Sequence, residues 1–116
     1  MRGVFLDFST VSDGDVDLEP LRATLDDWHI RDLTPAGDIA AAIRDADVVV
    51  SNKAILDRAT IHGAADLKLI CVAATGYNNV DLAAARERGI VVCNVRAYAT
   101  PSVVEHVFLL ILALNR

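Results

Sequence analysis

The chain has 116 residues, of which 53% are hydrophobic and 23% are charged, so it holds enough apolar side chains for one folded domain. Its formal net charge is −5, and its basic residues do not cluster, which excludes a nucleic-acid partner bound by bulk charge. The longest uninterrupted apolar run, Val107 to Leu114, is too short for a membrane span of roughly 20 residues.

The amino terminus and the cysteines both bear on the compartment in which the chain works. The first apolar run, Val4–Leu6, ends at Asp7, so we expect no secretory signal and a cytoplasmic location. Cys71 and Cys93 lie in apolar runs without a CxxC or metal-ligand spacing. This predicts buried, reduced thiols rather than a disulfide.

Five short apolar runs rich in β-branched residues predict strands, and segments with helical spacing separate them. The predicted strands are Val4–Phe8, His29–Leu33, Asp47–Ser51, Leu67–Ala73 and Ile90–Asn94. The third and fourth barely alternate, as expected for central strands covered on both faces. The pattern predicts an α/β fold: a flavodoxin-like three-layer sandwich with a mostly parallel sheet in the strand order 2-1-3-4-5. Ligands of such sheets bind beyond the carboxyl ends of the strands.

Capping residues mark the predicted helices between these strands. An acidic, solvated loop over Val11–Glu19 leads into a first helix. The predicted amino-terminal caps of the next three helices are Thr34 followed by Pro35, Asp57, and Asn78 or Asn79. The helix after Asp57 is expected to run through His62, and Gly89 to end the one that follows.

The last predicted helix begins near Thr100-Pro101, with Ser102 and Glu105 as an alternative capping box. Its segment Val103–Leu114 is apolar on every side, so more than one face of the helix needs cover. We therefore divide the chain into a sheet domain, residues 1–100, and the start of a long helix, residues 101–116.

Known phosphate-binding motifs are missing from the loops that follow the strands. No two of the six glycines are separated by a single residue, so there is no GxGxxG fingerprint and no Walker A loop. Ser51 and Asn52 stand where a receiver domain needs its phosphoacceptor aspartate, and Phe8–Gly14 only loosely approximates a flavodoxin phosphate loop.

Two polar segments remain as candidate sites. After the fourth strand, Gly76 precedes a predicted helix start. Free backbone amides there would suit a small carboxylate, although a plain tight turn explains the same residues equally well. After the fifth strand, polar groups and an aromatic residue concentrate between Asn94 and His106. Glu105 and His106 are helix neighbours that point about 100° apart, so we interpret them as separate interface contacts rather than an acid/base pair.

The histidines His29 and His62 are expected to be ordinary surface or strand-edge residues. No metal-ligand spacing joins them to His106, so no metal site is predicted.

Three ordered blocks of the sequence carry a family resemblance. They are Leu69–Asp81, Ala83–Val95 and Ser102–His106. They resemble the amino-terminal third of the D-isomer-specific 2-hydroxyacid dehydrogenases, and most of all members called glycerate dehydrogenases or hydroxypyruvate reductases. The resemblance implies a flavodoxin-like substrate domain that continues through a long helix into a Rossmann domain. It also implies hydride transfer between NAD or NADP and a 2-oxo or 2-hydroxy acid, such as hydroxypyruvate or glyoxylate.

The same resemblance assigns roles to five positions. It implies that the backbone amides of Thr75 and Gly76 bind the substrate carboxylate and that Thr75 also touches the cofactor. By the same likeness, Tyr98 contacts substrate, Val103 approaches the nicotinamide, and Lys53 faces the cleft.

Other parts of the family pattern are missing or altered. Arg96 stands where proline is common in the family, which puts the path of that loop in doubt. The cofactor fingerprint and the catalytic Arg, Glu and His of the family correspond to positions beyond Arg116, so no residue here, His106 included, is assigned a catalytic role.

Two functional hypotheses follow. The chain is either the substrate-binding portion of an NAD(P)-dependent dehydrogenase, inactive by itself, or a non-catalytic flavodoxin-like binding or oligomerisation module. The apolar helix Val103–Leu114 predicts a homodimer or a helix-swapped oligomer, and packing of this helix on its own sheet is the alternative.

Overall fold

A computed structural model describes residues 1–115 of the chain. Its centre is a five-stranded sheet in which every neighbouring pair is parallel. The strands are β1 (Arg2–Phe5), β2 (Asp27–Ile30), β3 (Val48–Ser51), β4 (Leu69–Val72) and β5 (Val91–Asn94). They lie in the order β2-β1-β3-β4-β5, so the predicted fold class and strand order are confirmed.

Five α-helices connect or follow the strands. They are α1 (Glu19–Arg22), α2 (Ile39–Ile43), α3 (Arg58–Gly63), α4 (Leu82–Glu87) and α5 (Thr100–Leu114). Two short 3-10 turns, Phe8–Thr10 and Ala36–Asp38, precede α1 and α2. The loop over Val11–Glu19 leads into α1, as the sequence predicts.

The first two strands begin and end earlier than predicted. β1 was expected over Val4–Phe8 and β2 over His29–Leu33, but the two strands pair residue for residue starting from Arg2 and Asp27. An ion pair, 3.6 Å from Arg2 Nε to Asp27 Oδ2, joins the side chains of this first pair. Polar residues at the strand starts hid this pairing, because the prediction relied on apolar runs.

The hydrophobic core lies between one face of the sheet and helices α2, α3 and α4. Ile70 and Val72 of β4 point into it, whereas Cys71 between them points to the opposite face. Cys93 lies opposite Cys71 in the register of β4 and β5. Cys93 is exposed and Cys71 is half-buried, so the prediction that both thiols are buried is wrong. Burial raises the pKa of the Cys71 thiol, and the neighbouring Cys93 raises it further.

Side-chain caps define the ends of the middle helices. The predicted cap Asp57 is confirmed, since its carboxylate accepts a hydrogen bond from the Thr60 amide at 2.8 Å. The cap of α4 is Asp81, which accepts from the Ala84 amide at 2.9 Å, so the prediction of Asn78 or Asn79 is wrong. Gly89 follows α4 with a φ of +67°, the left-handed conformation that ends a helix.

The start of α2 also differs from the prediction. Thr34 does not cap this helix; its hydroxyl donates to the carbonyl of Leu6 at 2.7 Å. The chain first passes through the 3-10 turn Ala36–Asp38, so α2 begins later than Pro35 suggested.

Arg88 joins α3 to the end of α4. Its guanidinium donates to four backbone carbonyls at and beyond the end of α3, at 2.9–3.1 Å: those of Ile61, His62, Ala64 and Ala65. Carbonyls at the end of a helix lack the full set of amide partners that the helix interior provides, so a charged donor stabilises this end of α3.

Helix α5 projects away from the rest of the molecule. No residue of Thr100–Leu114 is buried, which rules out the alternative that this helix packs on its own sheet. The radius of gyration is 16.6 Å, whereas a compact chain of this length has about 13 Å. Pro101 lies in the first turn, and no side chain caps the helix, so the predicted Ser102–Glu105 capping box is wrong. Within residues 1–115, no helix is long and apolar enough to cross a membrane.

Candidate functional site

The loops that follow the strands form a cleft at the carboxyl edge of the sheet. It has a volume of about 350 Å³ and lies between the loop after β3 and the loop after β4. The residues that line it are Asn52, Lys53, Ile55, Ala74, Gly76, Asn78 and Asn79. The structure therefore brings Lys53 and Gly76, two of the residues proposed from the resemblance, to the same cleft.

A second cleft of about 550 Å³ adjoins the first. Its lining residues are Thr10, Val11, Asn52, Lys53, Ala73, Ala74, Val95 and Tyr98. Because Lys53 lines both clefts, it links the loop after β4 to Tyr98, which follows β5 and is 62% exposed.

Lys53 is the only charged residue among the described residues that line the two clefts. Its side chain is exposed, and within residues 1–115 no hydrogen bond or ion pair engages its ammonium group. An ammonium group with three available donors gives this edge of the sheet the means to bind an anion.

Asp7, which lies shortly after β1, holds the loop that carries Lys53. Its side chain is 1% exposed. One carboxylate oxygen accepts from the amides of Lys53 and Ala54 at 2.5 and 2.8 Å, and the other accepts from the Asn52 amide at 2.9 Å. An acidic residue at the end of an apolar strand was the available signal, since a buried carboxylate needs several donors.

Two asparagines tie the neighbouring loops together. The Asn52 side chain donates to the carbonyl and hydroxyl of Thr10 at 3.1 and 2.8 Å. The Asn79 side chain donates to the carbonyl of Ala54 at 3.0 Å and to the Ser51 hydroxyl at 3.3 Å. The loops after β1, β3 and β4 are therefore held together by side-chain hydrogen bonds.

Gly76 has no internal need for glycine. Its φ does not lie in the left-handed region, and a Cβ added there would meet only Asn78 Oδ1, at an ordinary 3.5 Å. The start of α4 is not next to Gly76 as predicted, because the helix begins at Leu82, where Asp81 already occupies an amide. The helix dipole therefore does not contribute to a carboxylate cradle at Gly76, and only local backbone amides and Lys53 are available.

The first cleft is not lined by the other three residues assigned from the resemblance, Thr75, Tyr98 and Val103. Thr75 is exposed and lines neither cleft, and its carbonyl accepts a hydrogen bond from the Asn94 side chain at 2.7 Å. Ala97, next to Tyr98, has a φ of +57°, which is unusual for a residue with a side chain. Val103 lies on the projecting helix α5 and is 57% exposed.

Two of the helices are closed to the pyrophosphate of a dinucleotide cofactor. Helices α3 and α4 cannot offer a free amino terminus to a pyrophosphate, because the carboxylates of Asp57 and Asp81 occupy amides there. The Thr60 amide is also the main cause of the lowered pKa of Asp57, which keeps that carboxylate charged. Among residues 1–115, no group of three or more His, Cys, Asp or Glu residues is arranged to hold a metal.

Within residues 1–115, neither cleft is lined by a histidine or by Glu105, the neighbour of His106. His29 is exposed on the edge strand β2 and His62 is exposed on α3, as predicted. Glu105 and His106 are exposed on α5, away from Lys53 and Gly76.

Comparisons with known proteins give consistent matches. The sequence model of the family described as "D-isomer specific 2-hydroxyacid dehydrogenase, catalytic domain" matches residues 7–110. A hydroxypyruvate reductase of Blautia hydrogenotrophica is 36% identical over 115 residues, which cover 97% of this chain and 35% of the reductase. A glycerate dehydrogenase of Methylorubrum extorquens is 44% identical over 79 residues, which cover 68% of this chain and 25% of that protein.

A solved structure extends the comparison to three dimensions. The NAD-dependent formate dehydrogenase of Staphylococcus aureus, in complex with NAD, superposes with a TM-score of 0.74 at 32% identity. The match covers 94% of this chain and 37% of that one. The chain thus spans 25–37% of the length of these three relatives.

Proposed function

Because the chain belongs to the D-isomer specific 2-hydroxyacid dehydrogenase family, we propose that it supplies the part of such an enzyme that binds the substrate carboxylate. The substrate class is a small 2-oxo or 2-hydroxy acid, with hydroxypyruvate, glycerate or glyoxylate as the candidates. The relatives named hydroxypyruvate reductase and glycerate dehydrogenase support this choice.

The observation that carries the proposal is the cleft that contains Lys53 and Gly76. Lys53 provides its only charge, which is positive and matches a carboxylate. Gly76 lines the same cleft, although neither its backbone conformation nor its packing requires glycine. A side chain there would occupy space beside the backbone amides, so glycine at this position supports close approach of a ligand.

This chain contributes binding and orientation to the proposed reaction. Lys53 and the amides near Thr75 and Gly76 bind the carboxylate, and Tyr98 contacts the remainder of the acid. When bound, NAD or NADP would accept or supply the hydride at C2. Thr75 and Val103 are proposed to lie against that cofactor, whose main binding elements the described residues do not include.

The experiment is a titration of the 116-residue chain with oxalate, followed by backbone NMR. We expect chemical shift changes at Lys53, Gly76 and Tyr98. Lys53→Met should weaken binding by about 10- to 150-fold, since a hydrogen bond to a charged group contributes about 1.5–3 kcal/mol. Lys68, the only other lysine, lies at the opposite edge of the sheet beside Asp47, so Lys68→Met is the matched control.

The outcomes separate the two functional hypotheses. Binding that depends on Lys53 and not on Lys68 supports the dehydrogenase assignment. If oxalate causes no shifts, or if both variants bind alike, the carboxylate site is refuted and a non-catalytic module remains. Substantial oxidation of NADH by hydroxypyruvate with this chain alone would refute the statement that it only binds and orients.

We also propose that α5 associates with a second copy of the chain, as a homodimer or by exchange of the helix. The support is its exposure: Phe108, Leu109 and Leu112 are each more than 60% exposed, and no residue of the helix is buried. Exposed contiguous apolar surface of this kind marks an interaction site. Light scattering at micromolar concentrations tests the proposal, and a monomer at all concentrations would contradict it.

A further inference from the structure

Asp7 carries a buried carboxylate next to the loop that supplies Lys53 to the cleft. It is 1% exposed and accepts from three successive backbone amides, those of Asn52, Lys53 and Ala54. No other acceptor within residues 1–115 engages the Lys53 amide. We propose that Asp7 is a positioning residue, which fixes the backbone at Lys53 so that the ammonium group reaches the ligand cleft; this rests on the proposed function.

The geometry explains why one side chain has this effect. Hydrogen bonds from amides to a carboxylate are shorter and stronger than those to a neutral acceptor. Three of them converge here, at 2.5–2.9 Å, so the loop cannot rotate at residues 52–54 without breaking at least one. The lysine side chain itself is flexible, and its reach therefore depends on where its backbone is held.

Other contacts hold the flanks of the loop but not its centre. The Asn52 side chain bonds to Thr10 on one side, and the Ala54 carbonyl accepts from Asn79 on the other. Lys53 lies between them, and its amide depends on Asp7 alone. Loss of the carboxylate should therefore displace Lys53 while the neighbouring loops stay connected.

The test is a double-mutant cycle on oxalate binding. Asp7→Asn removes the charge and one of the two acceptor oxygens, and we expect it to weaken binding at least 10-fold. In a Lys53→Met background, the same substitution should change binding by less than twofold, because Asp7 acts through Lys53. A general loss of structure would lower affinity in both backgrounds, and that result would overturn the inference.

Asp57→Asn is the matched control, since Asp57 also accepts a backbone amide but lies at the start of α3 and lines neither cleft. It should leave oxalate affinity within twofold of the unsubstituted chain. If Asp7→Asn does not fold, Asp7→Ser, which keeps one acceptor oxygen, takes its place in the cycle.

A ligand-free measurement separates this inference from the proposed function. Hydrogen exchange of the Lys53 amide should accelerate at least 10-fold in Asp7→Asn and remain unchanged in Asp57→Asn. If the unsubstituted chain fails to bind oxalate, the proposed function is wrong, and the exchange result alone decides whether Asp7 fixes Lys53. Unchanged exchange at Lys53 would overturn the role of Asp7 even where oxalate binds.

Discussion

A pair of glycine substitutions tests whether Gly76 serves a ligand or the fold. At Gly76, an added Cβ would lie 3.5 Å from Asn78 Oδ1 and would meet no other atom within contact distance. At Gly3 in β1, it would lie 2.6 Å from two ring carbons of Trp28, closer than Cβ atoms approach any neighbour. Packing therefore requires glycine at position 3 but not at position 76.

The expected magnitudes follow from these contacts. Replacing glycine by alanine raises the free energy of unfolding by about 0.4–1 kcal/mol where the backbone tolerates it, because the unfolded chain loses freedom. Overpacking costs about 1–3 kcal/mol. We expect Gly76→Ala to be neutral or stabilising by up to about 1 kcal/mol, and Gly3→Ala to be destabilising by about 1–2 kcal/mol. For a chain of this length, 1 kcal/mol corresponds to about 4 °C in Tm.

Thermal unfolding and oxalate titration read out the two effects independently. Gly76→Ala should keep or raise Tm and weaken oxalate binding at least 10-fold. Gly3→Ala should lower Tm by about 4–8 °C, from the relation between free energy and Tm, and leave affinity unchanged. Two results for Gly76→Ala would refute the reasoning. One is oxalate binding equal to that of the unsubstituted chain. The other is a loss of more than about 2 kcal/mol in the free energy of unfolding, which is the scale of internal overpacking.

Three further predictions concern stability, pH and association. Arg88→Ala should lower the free energy of unfolding by about 2–3 kcal/mol, because four carbonyls lose a charged donor. Arg86→Ala, in the last turn of α4, should change it by less than about 0.5 kcal/mol, and denaturant unfolding measures both. The hydrogen bond from Lys68 lowers the pKa of Asp47, so the Tm advantage over Asp47→Asn should be present above pH 4 and disappear as the pH falls further; an unchanged difference at pH 2 would contradict this. Leu112→Glu should reduce the apparent mass in light scattering, and equal masses for both proteins would remove this part of α5 from the proposed interface.

Much of the fold could be predicted because apolar runs and capping residues are local signals. The strand order followed from five short runs separated by helical segments, and Asp57 was identified as a cap from its position. The predicted bounds of β1 and β2 were wrong because the pairing of these strands begins with two charged residues, Arg2 and Asp27. An apolar pattern does not reveal such a pair. Asp81 replaced the asparagines as a cap, because Asn79 bonds to the neighbouring loop instead.

The candidate site was predicted in part, through the family resemblance rather than through periodicity. Lys53 and Gly76 do line one cleft, and Lys53 shares a second cleft with Tyr98. The helix dipole assigned to the Gly76 turn does not reach it, since α4 begins only at Leu82. Asp7 was missed as a positioning group because its three partners lie more than 40 residues away in the sequence.

The sequence by itself determined the fold class, the strand order and the family, because these depend on apolar patterns and on motif spacing along the chain. It also determined that α5 has more apolar surface than one contact can cover. Only the tertiary structure decided which loops meet at the carboxyl edge and which groups are free there. Asn52, Asn79 and Asp7 are engaged in holding loops, and this leaves Lys53 as the charged group that faces the cleft. The physical reason is that buried polar groups must find partners, and those partners come from distant parts of the chain.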